Sequence, residues 1–122
     1  VTGVNEQLLI VQKYETFLHY MYPIAQNLPR KHGVAKEMLI RDMLAQVDLF
    51  IVAGKTRQVS RLQQADAGIA MLRFWLRFLS GPACDVLTEQ QHRTGSIMLA
   101  EVGKILGAWI TNHKSKADPG RV

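Results

Sequence analysis

An all-α fold, an antiparallel up-down four-helix bundle, is what this sequence predicts, and three observations predict it. Apolar residues recur at helical spacing over four segments of about 20 residues. Gly and Pro fall mostly between those segments rather than within them. Apolar residues make up 48% of the chain and charged residues 20%, the balance of a folded domain and not of a disordered segment. At 122 residues the chain suits a single domain with a real core. Four helices, each about 30 Å long and joined by short turns, have only their neighbours to bury an apolar stripe against.

The first helix is predicted from about residue 5 to residue 28, with Ile10, Tyr14, Phe17, Met21, Ile24 and Leu28 forming one stripe. Pro23 lies inside it and should kink or break it, and Leu28-Pro29 should end it. The second helix is predicted over residues 34–53, with Ile40, Leu44, Val47 and Ile51 facing the core and Leu39, Met43 and Phe50 forming a flanking edge. Gly54 reads as its C-terminal stop. The third, over residues 58–80, carries Leu62, Ala65, Ile69, Leu72, Leu76 and Leu79 as its core stripe, and Met71, Trp75 and Phe78 as a second one. Gly81-Pro82 stops it. The fourth, over residues 88–113, opens on Thr88 with Gln91 placed to complete a capping box. Met98, Val102, Ile105, Leu106, Trp109 and Ile110 supply its apolar side, and residues 114–122 read as a frayed tail.

The apolar arc of helices two and three is wider than one bundle needs, because a surface helix keeps its far side polar. Phe50, Met71, Trp75 and Phe78 are therefore candidates for a contact between subunits, the alternative being that helix three is simply the most buried one. A ring would need two different complementary faces and a twofold dimer one self-complementary face.

The formal charge of +5 is unevenly placed. From Arg30 to Arg77 nine Lys or Arg stand against four acids, and elsewhere the charges balance. Such clustering suits a polyanion, since each neutralised phosphate releases counterions; a solvated basic face is the plainer alternative. Arg73 and Arg77 are the sharpest feature, because a spacing of four sets both guanidinium groups on one side of an otherwise apolar helix. They are placed to span neighbouring phosphates, or else to reach solvent or pair with Asp66.

Other chemistry finds little support. Cys84 is the single cysteine, so neither an internal disulfide nor a Cys-rich zinc site can be built. Gly54-Lys55-Thr56 imitates the end of a phosphate-binding loop, but Leu49 stands where a glycine is needed and no strand precedes it. Glu89 and His92 have the spacing of a di-iron motif without a second copy. Gly103 and Gly107, four apart, suggest close approach of another helix. The four histidines and the scattered acids form no catalytic constellation, so a non-enzymatic protein without cofactor or metal is expected. No apolar run reaches membrane-span length, and the N-terminus lacks the pattern of a signal peptide; a cytoplasmic protein is expected.

Four stretches carry a resemblance to a known family. They are Tyr-Pro-Ile-Ala-Gln-Asn-Leu-Pro-Arg-Lys-His-Gly at 22–33, Leu-Phe-Ile-Val-Ala-Gly-Lys at 49–55, Ala-Asp-Ala-Gly-Ile-Ala-Met-Leu-Arg-Phe-Trp-Leu-Arg-Phe-Leu at 65–79, and Glu-Val-Gly-Lys-Ile-Leu-Gly-Ala-Trp at 101–109. The chain, over roughly residues 8–110, resembles the accessory variability determinant proteins of diversity-generating retroelements, relatives of the four-helix bundles encoded in ribosomal RNA intervening sequences. The resemblance implies a homopentameric barrel that binds nucleic acid, template-repeat RNA and also DNA, and associates with the element's reverse transcriptase during mutagenic cDNA synthesis. It implies that polymerase chemistry belongs to the partner. It also implies nucleic-acid contacts at Arg73, Arg77, Arg30, Lys31 and Lys55, with Lys36, Arg41 and Lys104 as weaker candidates. Backbone electrostatics should then dominate, and base stacking is not expected, because few exposed aromatics accompany the basic residues. The competing reading is a helical protein-interaction module that does not touch nucleic acid.

Overall fold

A computed structural model describes residues 2–117, with side chains described from residue 7 to residue 114. Helix α1 spans Thr2–Gln26, a short 3-10 turn Arg30–His32, α2 Gly33–Thr56, α3 Val59–Ser80 and α4 Glu89–Ala117. Each helix packs on two neighbours, α1 on α2 and α4, and α3 on α2 and α4, so the four surround one core. With short connections between consecutive helices, this is the up-down bundle that the periodicity predicts. Among the described residues there is no strand, and no helix is long and apolar enough to cross a membrane.

The core stripe of α3 is the expected one: Leu62, Ala65, Ile69, Leu72, Leu76 and Leu79 are all buried. On α1 the stripe is Ile10, Tyr14, Phe17, Met21 and Ala25, continued by Leu28 just beyond the helix end, with Ile24 only partly covered. The helix continues through Pro23, whose missing N–H has not ended it. On α4, Leu99 joins Val102, Leu106 and Trp109 in the core, while Met98, Ile105 and Ile110 lie at its margin.

Helix α2 is rotated from expectation. Its buried face is Leu39, Met43, Gln46, Phe50 and Ala53, the stripe read above as a flanking edge. Leu44 and Ile51, expected inside, are 50% and 41% exposed. The physical reason is Gln46, a polar residue at the centre of the true core stripe, which makes the neighbouring stripe look the more apolar of the two. Gln46 is tolerated because its Nε2 donates to the carbonyl oxygen of Ala65 on α3 at 2.9 Å. The rest of its amide fills the space that a side chain on Gly68 would take. Tyr14 satisfies its hydroxyl in the same way by donating to the Met43 carbonyl. Burial, and secondarily the charge of Asp42, push the phenol's pKa above its ordinary value, so it remains a donor.

Gly54 does not stop α2. It lies within the helix, and its missing side chain leaves room for that of Gln7 on α1. The helix ends instead at Arg57, whose left-handed backbone (φ 56°) makes the cap usually given to glycine. Helix α4 also outruns expectation, continuing to Ala117; residues 118–122 lie outside the described residues.

The start of α4 is the predicted capping box. The Gln91 amide N–H donates to Thr88 Oγ1 and the Thr88 N–H to Gln91 Oε1, each at 3.0 Å. Thr88→Ala should cost about 1 kcal/mol in a urea titration. An unchanged midpoint would mean that packing alone sets where α4 begins.

Candidate nucleic-acid interface

The five cations carried by the resemblance are all exposed, but the fold does not gather them. Arg30 and Lys31 sit in the 3-10 turn at one end of the bundle. Lys55 stands in the last turn of α2, at the opposite end and roughly 30 Å away at 1.5 Å per residue. Near it are Arg57 in the α2–α3 joint and Arg61 in the first turn of α3, two exposed cations that the sequence reading did not single out. Arg73 and Arg77 lie one turn apart on α3.

Partners separate these residues from two of the three weaker candidates; Lys104 on α4 is exposed and, among the described residues, has no acid within ion-pair distance. Arg41 pairs with Glu37 at 3.4 Å and Lys36 donates to the Leu28 carbonyl at 3.2 Å, which occupies both heads within the chain. Lys13 and Arg93 pair with Glu101 and Glu89. Among the described residues, none of Arg30, Lys31, Lys55, Arg73 and Arg77 has an acid within ion-pair distance. Their charge is not offset by an ion pair within the described bundle.

Arg73 also explains a glycine. A side chain on Gly103 would come within 2.9 Å of the Arg73 guanidinium, so α4 opens a place for that group to lie on. Gly107 faces open space, so the pair does not mark the approach of another helix within the fold.

The residues expected between subunits divide. Phe50 is fully buried in the chain's own core, its ring 5.4 Å from that of Tyr14 at 73°, and has no surface to offer another subunit. Trp75 is only 7% exposed, because its Nε1 donates to Asp42 Oδ2 at 2.8 Å and turns the indole onto α2. Both aromatics complete the packing of α2 and α3 within the chain, which leaves Phe50 no surface and Trp75 little. Met71 and Phe78 do reach the surface, at 42% and 40% exposure, and Phe74, not anticipated, joins them at 40%.

The rings of Phe74 and Phe78 are stacked, with centroids 5.8 Å apart and planes 14° from parallel. Trp75 supports both edge-on. Exposed aromatics therefore do accompany the basic pair, contrary to the expectation. A signal for them was present in the sequence: Arg-Phe occurs at 73–74 and again four residues on at 77–78.

Elsewhere, Leu18, His19, Tyr22, Pro23 and Leu44 line an open, mostly apolar groove of about 250 Å³ between α1 and α2. Cys84 is buried. Among the described residues no three His, Cys, Asp or Glu are grouped so as to hold a metal ion.

Fold and surface together define an all-α four-helix bundle with exposed cations that, among the described residues, have no acid within ion-pair distance. The bAvd-like family model matches residues 8–113, nearly the whole described bundle, and the chain belongs to that family of accessory variability determinant proteins. No curated protein matches the chain.

Proposed function

We propose that this protein is the non-catalytic accessory subunit of a diversity-generating retroelement, working in the cytoplasm as a basic scaffold that holds template-repeat RNA beside its reverse transcriptase. The observation that carries this reading is the Arg73–Arg77 pair: one turn apart, exposed, without acid partners, and with Arg73 resting on a glycine. Arginine's fixed fork of donors suits phosphate, and two forks about 6 Å apart along a helix suit successive phosphates. Arg30 and Lys31 at one end of the bundle and Lys55 at the other stand roughly 30 Å apart, a distance that a folded RNA, or DNA, can span.

Family membership supports the accessory role; the homopentamer belongs to the proposal and is carried by the resemblance alone. Since Phe50 and Trp75 are used within the chain, the exposed apolar residues open to assembly include Leu44 and Ile51 beside the α1–α2 groove and, on α3, Met71 and Phe78. That same groove favours the second reading, a docking module for another protein that ignores nucleic acid.

Binding to a structured RNA over a salt series decides between them. Arg73→Ala with Arg77→Ala should leave helicity unchanged and reduce the slope of log affinity against log salt by about 1.4–1.8, the share of two phosphate contacts. Undiminished affinity in the double variant would remove these arginines from the site. A wild-type protein indifferent to RNA would favour the second reading.

A further inference from the structure

The outer surface of α3 carries two repeated pairs, Arg73-Phe74 and Arg77-Phe78, and the pairs differ from ordinary surface in three respects. Both phenyl rings are 40% exposed although they are large and apolar. They are held nearly parallel at 5.8 Å, with the Trp75 indole edge-on behind them and itself anchored to Asp42. Each follows directly on a cation with no acid partner.

We propose that the Phe74–Phe78 ridge is a stacking surface for unpaired bases of single-stranded RNA, whose phosphates are taken by Arg73 and Arg77. The inference rests on the nucleic-acid reading above and adds the class of strand that this face selects. Successive residues on a helix differ by about 100°, so each arginine stands beside its phenylalanine rather than over it. A strand lying along α3 therefore meets cations on one flank and rings on the other, the division that its backbone and bases present. The repeat of four residues advances about 6 Å along the axis, enough to pass from one nucleotide of an extended strand to the next. In a duplex the base faces are covered by one another, so only a single strand, loop or bulge gains from the rings. A second copy of this chain is the other occupant with a claim on the ridge. It would have to bury two arginines that bring no counter-charge with them, at a desolvation cost that an RNA phosphate offsets.

The test compares a fluorescein-labelled, unstructured RNA strand with the duplex that it forms with its complement, by anisotropy over the same salt series for both. Light scattering gives the protein's mass in the same samples. Wild type should bind the strand more tightly than the duplex. Phe74→Ala with Phe78→Ala should weaken strand binding about tenfold and leave duplex binding and the salt slope as they were. Replacement of both by Leu keeps apolar area without a π-face and should fail likewise, whereas Tyr at both positions should retain the preference. Equal affinity of wild type for strand and duplex, or full retention by the Leu variant, would overturn the stacking surface while leaving phosphate binding intact. A fall in mass in the Ala variant, with helicity retained, would also overturn it and give the ridge to a contact between copies. Binding of neither RNA by wild type would end both the stacking surface and the nucleic-acid reading beneath it.

Discussion

Phe50→Ala should destabilise the protein by about 3–5 kcal/mol, the cost of emptying a fully buried phenyl site that cannot collapse. Leu44→Ala, six residues away on the same helix, should cost no more than about 1–1.5 kcal/mol, because half of that side chain is already in water. A domain of this size has about 5–15 kcal/mol in total, so the first variant should be visibly shifted in any denaturant titration. The comparison tests the rotation of α2 directly. If Leu44→Ala were the costlier change, the core would follow the stripe Ile40, Leu44, Val47 and Ile51, and the assignment of Phe50 to the interior would be wrong.

Gly68→Ala should cost about 1–3 kcal/mol, whereas the same change at an ordinary exposed helix position should stabilise by about 0.5–1 kcal/mol, alanine being the better helix former. A methyl group there occupies the place of the Gln46 amide oxygen and crowds Leu49. The amide must then leave the Ala65 carbonyl, and a buried polar group loses its partner. The double variant with Gln46→Ala should recover much of the loss, because it removes both the obstruction and the unsatisfied group; double-mutant coupling near zero would show that the two residues do not share the site.

Where the sequence was legible and where it was not follows from how many stripes each helix offers. On α3 the six residues read as the core line are all buried, and of the second stripe only Trp75 joins them. On α2 two apolar lines run side by side, and local pattern cannot show that the one containing Gln46 is inside; that depends on Ala65 and Gly68 of another helix. Gly54 was misread for the same kind of reason, since its purpose is set by Gln7, far away in sequence. The capping box at Thr88 was readable because every atom in it lies within four residues. At the surface, the spacing of Arg73 and Arg77 could be read directly, but the exposure of Phe74 could not. An aromatic between two core leucines is ordinarily assigned to the interior, and only the packed helix shows which way its ring is turned.

The joint between α2 and α3 leaves only Arg57 and Gln58 outside the two helices. So short a loop gives up little chain entropy when its ends meet, and pairings that are close in sequence form soonest as a chain organises. The α2–α3 hairpin is thus the natural starting point of folding, and the seating of Gln46 against Gly68 is part of that first step rather than a late refinement. A change at Gly68 should accordingly slow refolding and not merely hasten unfolding. The same hairpin brings Trp75 onto Asp42, so the outer surface of α3 takes its orientation before α1 and α4 close the core behind it.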